Sequence, residues 1–477
     1  MNSYGKILIK ALIGILGAAV VFFIPFDSMG VVLSPVEVRV IALFVLAALF
    51  WILEPVPIWT TSVLVITLSL LLFSNQSLVF LRYGADGEKF TNLVDHKATM
   101  ATFADPIIML FLGGFFLAAA ATKYRLDMNL AKVLLRPFGK DPRFVLLGLM
   151  SVTALFSMFM SNTATAAMML AILAPVLSLF QPDDKGRAAF ALSIPIAANI
   201  GGIGTPIGTP PNAIALKALQ DMGLNVSFGK WMMFGVPFVF ILTIIAWLLL
   251  LKLFPISQKT LELKVGGSFM KSTKAIIVYI TFVVTVLLWV TGSGLHGMDS
   301  NTIAMIPIAV FAITQVITKE DLKQMGWDVL WLVAGGFALG LALQNTGLAE
   351  HLIGSIPFAT WSPFLLMVGT GVICLFMANF MSHTATASLL IPIIAVVGMN
   401  MGDRLDSVGG VTALLVSVAF ASSLGMCLPI STPPNALAYA TGLVNSKGMA
   451  ITGVILGVIG MVLTYTMMKL LSVLHFL

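Results

Sequence analysis

The chain has 477 residues, of which 59% are hydrophobic and only 10% charged, with a formal net charge of +6. So little polar surface excludes a soluble globule of this size and leaves a polytopic membrane protein. The basic residues fall in short loops rather than along one face, which excludes a nucleic-acid partner and reads as a positive-inside bias.

Apolar runs long enough to cross about 30 Å of hydrocarbon recur from Ile7 to Leu471, so residues 1–477 read as a single all-α membrane domain. The first run, 7–26, follows Lys6 and Lys10 and lacks a small-residue cleavage site, so it reads as a retained span rather than a removed signal peptide. With the N-terminus cytoplasmic, further spans fall at 38–53, 59–74 and 106–122, and Glu54 lies at a span end as an interfacial charge. The basic segment from Lys123 to Arg143 is then internal. The next apolar stretch, 144–180, is long enough to cross twice but is interrupted by Ser161, Asn162 and Thr163. A re-entrant hairpin that returns to the cytoplasm keeps Lys185 and Arg187 inside as well.

A span at 188–220 is broken by "GTPIGTPPN", and another at 231–254 brings Lys259, Lys264, Lys271 and Lys274 inside. Spans at 275–293, 302–318 and 328–343 leave Lys319 and Lys323 inside and His351 outside, so a second hairpin, 363–399, opens outward. The last spans, 409–440 and 449–471, place Lys447 inside and the C-terminus outside. About eleven spans and two hairpins result, with Arg82, Lys89 and Lys97 the main exceptions to the charge bias.

The second hairpin carries "FMSHTATASLL", which aligns with "FMSNTATAAMM" of the first at an offset of 221 residues from Ser161 to Ser382. The "GGF" at Gly113 recurs at Gly335, an offset of 222, and the "TPPNA" at Thr209 recurs at Thr432, an offset of 223. Three matches at nearly one spacing indicate a duplication, with repeats at about 38–255 and 275–477. Because the hairpins open to opposite sides the repeats are inverted, as in secondary transporters whose ligands bind where discontinuous helices meet.

The residue chemistry suits an anion and a small cation. Ser and Thr at a hairpin tip cap the helix that follows, and its positive dipole end favours an anion. Proline cannot continue a helix but starts one well, so Pro210, Pro211, Pro433 and Pro434 should each end one helix and begin another. Broken segments also expose carbonyls which, with Ser and Asn oxygens, make a hard-oxygen site suited to sodium. Neither motif contains Arg or Lys, so a sodium ion would offset the cost of loading a dianion. The glycines Gly113, Gly114, Gly335 and Gly336 read as close-packing contacts rather than ligands. Cys374 and Cys427 read as small core residues without a disulfide or metal role.

The paired hairpin tips, each followed by "TPPN" in an inverted repeat, resemble the divalent anion/sodium symporter family, the INDY-type carriers of the ion transporter superfamily. The resemblance covers essentially the whole chain. It implies a homodimer in the cytoplasmic membrane, with a scaffold (about 1–122 and 275–343) and a transport domain (about 143–255 and 363–477) that moves by an elevator motion. It also implies symport of sodium with dicarboxylates of the succinate, malate and fumarate class. Sodium-independent exchange, or carriage of citrate or sulfate, is the alternative within the family.

Carried over by position, the substrate contacts are Ser161, Asn162, Thr163, Thr209, Pro210, Ser382, His383, Thr384, Thr432 and Pro433. The first sodium falls to Ser157, Ser161, Asn162 and the carbonyl of Gly208, and a second to Ser382, His383 and Ser431. This chain departs from the family at His383, where many members have Asn, and at Ala378, the counterpart of Ser157, where a hydroxyl is expected. An intramembrane hydrolase using Ser382 and His383 fits poorly, since neighbours at a helix start do not readily adopt nucleophile and base geometry. An anion channel fits less well than alternating access, given hairpins that close opposite ends.

Overall fold

A computed structural model describes residues 3–29, 31–177, 180–181, 184–261, 268–349, 351, 361–474 and 476. Lys264 lies outside them. Among the described residues the regular structure is helical, with two isolated β-bridges, Ser74 to Val94 and Tyr83 to Lys89.

The first repeat is preceded by α1 (Ser3–Phe22) and runs through α2 (Pro35–Leu53), α3 (Ile58–Phe73), α4 (Pro106–Lys123), α5 (Leu126–Leu135), the hairpin α6 (Pro142–Ser157) and α7 (Asn162–Leu177), the broken span α8 (Gly186–Gly202) and α9 (Pro210–Asp221), and α10 (Phe228–Leu253). The second runs through α11 (Thr273–Thr291), α12 (Ser300–Ile313), α13 (Trp327–Asn345), the hairpin α14 (Pro363–Phe380) and α15 (His383–Met401), the broken span α16 (Gly410–Ser423) and α17 (Pro433–Ala440), and α18 (Ser446–Val473). Nine stretches of helix among the described residues are long and apolar enough to cross a membrane alone. Two of these are the limbs of the second hairpin, so seven cross outright; the shorter α3 and α12 and the two broken spans bring the crossings to eleven, and helix count and order agree with the sequence reading.

The loops sort onto two faces, as a threaded membrane protein requires. On one, Leu261 N–H donates to Lys140 O (2.8 Å), Gln258 N–H to Asp184 Oδ2 (3.1 Å), and Lys274 Nζ to Gln315 O (2.8 Å). Lys123 Nζ there donates to Val316 O (2.9 Å) and pairs with Asp321. On the other, Asn92 Nδ2 donates to Ser34 Oγ (3.0 Å) and Thr346 O (2.9 Å), Glu37 meets His351, Phe228 N–H donates to Ser300 Oγ (3.3 Å), and Lys469 Nζ donates to Ser407 O (2.7 Å). The first hairpin opens to the first face, which carries most of the basic loops, and the second opens to the other. The repeats are therefore inverted. Arg82, Lys89 and Lys97 lie in the segment between α3 and α4, on the less basic face.

Burial follows position in the bundle. Helix α1 presents Leu8, Leu16 and Val20 outward, whereas nearly all of α8 is buried. Lipid tails are as apolar as leucine, so close approach of backbones holds such a bundle together. A Cβ on Gly201 would lie 2.4 Å from Ala154 O, and one on Gly113 2.5 Å from Ala304 O. The second glycine of each pair faces a different partner: a Cβ on Gly114 would meet Ile207 at 3.1 Å, and one on Gly336 the Ser388 hydroxyl at 2.6 Å. All four glycines are packing contacts, as their sequence suggested. Cys374 is a free, buried thiol and Cys427 a free, partly buried one, while Glu54 is the exposed C-cap of α2.

Two features were not read from the sequence. The basic segment after α4 contains the amphipathic helix α5, where the lysines and arginines had served only to mark sidedness. Helix α12 stops at Ile313, short of the expected 318, because the chain turns at Gln315 with a left-handed φ of 53°.

Candidate substrate and cation site

Both hairpin tips are built alike. Ser161 Oγ accepts the Ala164 N–H (3.2 Å) at the start of α7, and Ser382 Oγ accepts the Ala385 N–H (3.1 Å) at the start of α15. Each serine satisfies one of the donors that a helix start leaves unpaired. The broken spans begin alike, with Thr209 and Thr432 at the N-cap and Pro210 and Pro433 in the first helical position, although only Thr432 accepts a capping bond on its side chain.

The breaks leave carbonyls without helical partners, and one asparagine in each repeat takes them up. Asn212 Nδ2 donates toward the carbonyls of Gly202 (3.0 Å), Ile203 (3.4 Å) and Thr205 (2.8 Å), and Asn435 Nδ2 toward those of Met426 (2.8 Å) and Leu428 (3.0 Å). The "N" of each "TPPN" thus staples the far side of the break to the new helix. Asn212→Ala is expected to lower the unfolding temperature of the detergent-solubilised protein, with a cost of about 1–3 kcal/mol for each carbonyl left buried without a donor. An unchanged melting curve would mean that other donors replace the amide.

Hydroxyls tie each tip to its neighbouring break. Thr205 Oγ1 donates to Met158 O, and Ser431 Oγ donates to Asn379 O (2.8 Å) while accepting the Leu428 N–H (3.1 Å). All ten residues named from the sequence as substrate contacts line a single cavity of about 1010 Å³, together with Gly208 and Ser431. Ser157 stands behind it, fully buried. The cavity also reaches Lys123, Asp321 and Asp328, so it is lined toward the basic face. The Asp321 carboxylate there is held below the ordinary carboxylate range: partial burial opposes ionisation, but hydrogen bonds from Lys123 and Thr318 outweigh it. On the opposite face Lys217, at the end of α9, lies 3.5 Å from Asp105, the N-cap of α4.

The first repeat gathers oxygens. Ser157 Oγ is 2.7 Å from Asn162 Oδ1 and 2.7 Å from Ala198 O, and one hydroxyl proton cannot serve both. A Cβ placed on Gly202 would come 2.7 Å from Asn162 Oδ1 and 3.0 Å from Gly208 O, so side-chain and carbonyl oxygens share one small cradle. Hard cations take such all-oxygen sets. Among the described residues no cluster of three His, Cys, Asp or Glu residues offers a transition-metal alternative.

The second repeat inverts this chemistry. His383 is buried, and its Nε2 lies 2.7 Å from Gly425 O. A carbonyl only accepts, so Nε2 carries the proton and the ring presents a donor where Asn162 presents an acceptor. Ala378 supplies no hydroxyl there; a Cβ on Gly425 would lie 2.5 Å from the Ala378 Cβ. The sequence reading quoted Asn212 and Asn435 within "TPPN" but gave them no role, and it missed Asn199, a lone amide in an apolar run that carries no periodic signal.

Fold and site together define a polytopic membrane transport protein built from two inverted repeats. The model of the sodium:sulfate symporter transmembrane region matches residues 6–476, and the chain belongs to that family. It is 31% identical over 459 residues to the sodium-dependent dicarboxylate transporter SdcS of Staphylococcus saprophyticus, covering 88% of this chain and 83% of that protein. It is also 31% identical over 448 residues to an uncharacterized transporter of Haemophilus influenzae, covering 90% of each. Among solved structures the fold is similar to MtrF of Neisseria gonorrhoeae, with a TM-score of 0.55, 13% identity and coverage of 86% of this chain and 94% of that one. The YdaH transporter of Alcanivorax borkumensis is similar to the same degree, with a TM-score of 0.55, 14% identity and coverage of 86% and 96%. At such identities the likeness is one of fold alone.

Proposed function

We propose that this protein is a sodium-coupled symporter of dicarboxylates of the succinate, malate and fumarate class, acting as a homodimer in the cytoplasmic membrane. The observation that carries this reading is the convergence of both capped hairpin tips and both broken-helix starts on one cavity, beside an all-oxygen cradle in the first repeat. Four helix N-termini and their hydroxyls would grip two carboxylates without a basic side chain in either motif. Sodium would bind at Ser157, Ser161, Asn162 and the Gly208 carbonyl, and its charge would favour the anion beside it. Similarity to a protein named a sodium-dependent dicarboxylate transporter supports the same substrate pair.

Transport would follow an elevator motion of residues 143–255 and 363–477 against a scaffold of 1–122 and 275–343. The excess of Lys and Arg on one face supports a cytoplasmic N-terminus and an external C-terminus. The cavity lined toward that face would then be the inward-open site, and the Lys217 to Asp105 contact would lie on the sealed outer side.

A second reading, sodium-independent exchange, is favoured by one observation: the donor that His383 presents to Gly425 O. Ser382 caps its helix as Ser161 does, but the N–H of His383 occupies the Gly425 carbonyl and would take the position of a second cation. Under the symport reading, the same observation supports one sodium rather than two. Succinate uptake into proteoliposomes separates the readings. Uptake into empty vesicles driven by a sodium gradient, and not by an equal potassium gradient, is expected for symport. Uptake that ignores sodium and requires internal dicarboxylate would establish exchange and overturn the first reading.

A further inference from the structure

Asn199 lies in α8 of the first repeat, is 1% exposed, and reaches across to the second. Its Nδ2 donates to Thr432 Oγ1 (3.2 Å) and to Asn435 Oδ1 (3.2 Å). Proton counting fixes this orientation. Asn435 uses its own amide hydrogens on Met426 O and Leu428 O, so its oxygen faces Asn199 and requires a donor. The only donor Asn199 carries on its side chain is the NH2 group, which must therefore point at the second repeat.

Thr432 feels the consequence. Its Oγ1 already accepts the Asn435 backbone N–H (3.2 Å), and the amide of Asn199 is its second donor. A hydroxyl oxygen has two acceptor positions and one proton; both positions are taken. Among the described residues the Thr432 proton has no protein acceptor, and Thr432 lines the cavity. The first repeat lacks this arrangement. Thr209 makes no side-chain capping bond, and the positions matching Asn199 at the repeat offset are Ala421 and Ser422, whose hydroxyl bonds back to Val418 O (2.9 Å).

We propose that Asn199 is a positioning residue that makes Thr432 an obligate donor into the cavity, so that one end of the transported anion meets a hydroxyl of fixed direction. The two repeats then hold the anion unequally: tightly at Thr432, adaptably at Thr209. This rests on the reading of the cavity as a dicarboxylate site.

The test is a double-mutant cycle in proteoliposomes. Asn199→Ala is expected to raise the succinate KM about tenfold, the order expected on losing one hydrogen bond to a charged group. Asn199→Ser, which cannot donate to both partners, serves the same purpose should the alanine variant fold poorly. In a Thr432→Val background the Asn199 substitution should have no further effect on KM, because the hydroxyl it orients is gone. An unchanged KM in the single variant, or an equal rise with and without the Thr432 hydroxyl, would overturn the inference. Should the wild type not carry succinate, the substrate reading fails separately. The cycle is then read as thermal stabilisation by citrate and by sulfate, where the same non-additivity is expected and its absence is equally decisive.

Discussion

Asn162→Ala is expected to abolish sodium-stimulated dicarboxylate uptake while leaving a folded protein in the membrane. The side chain stands at the start of α7, where Ser161 supplies the helix cap, so its removal leaves the local backbone intact. What is lost is Oδ1, which shares the cradle with Ser157 Oγ and Gly208 O. If Asn162 is a sodium ligand as proposed, removing it outright should exceed the roughly 10–100-fold loss of affinity that accompanies loss of an outer partner at a metal site. Sodium-dependent uptake and the melting curve, measured together, check this. Full transport by a normally folded variant would remove the first hairpin from the mechanism.

His383→Asn should act in the opposite direction, adding a sodium dependence rather than removing one. Asparagine at this position restores the acceptor found at Asn162 and frees Gly425 O from its present donor. Together with Ala378→Ser it rebuilds in the second repeat the oxygen set of the first. The wild type is expected to show a hyperbolic sodium activation curve. The double variant should show a sigmoidal one, with a Hill coefficient rising from about 1 toward 2 as a second site appears. Transport that stays hyperbolic in the double variant would mean that His383 does not stand in place of an ion. Transport already sigmoidal in the wild type would mean that two ions bind despite it.

The contrast between Asn162 and His383 also marks how far the sequence alone could be read. The tips and breaks were legible because their chemistry is local: a serine caps the helix that begins beside it, and a proline stops the helix it stands in. The duplication was legible because Ser161, Gly113 and Thr209 recur at nearly one spacing. The inverted threading followed from charge, and contacts such as Lys140 to Leu261 and Asn92 to Thr346 gather the loops as that threading requires. Satisfaction of buried groups was not legible. Asn212 and Asn435 were visible as the last residue of "TPPN", but their role depends on carbonyls that the break turns toward them. Asn199 matters because of a hydroxyl and an amide oxygen brought to it by a distant segment, which nothing in its neighbouring residues announces. Helix α5 was hidden for another reason: its Lys132 and the flanking Arg125 and Arg136 were read for their sign and not for their spacing.

The glycine pairs carry a mechanical consequence. Helices usually seat ridge into groove, and each seat is a detent that resists sliding. At Gly114 and Gly336 one partner has no ridge, so Ile207 and Ser388 rest on bare backbone. Under an elevator motion these contacts form a bearing: close enough to exclude lipid, smooth enough to let one body travel past the other. One catch on it is the ion pair of Lys217 with Asp105. A bulky side chain on that bearing would work as a brake, leaving a carrier that holds its cargo but does not deliver it.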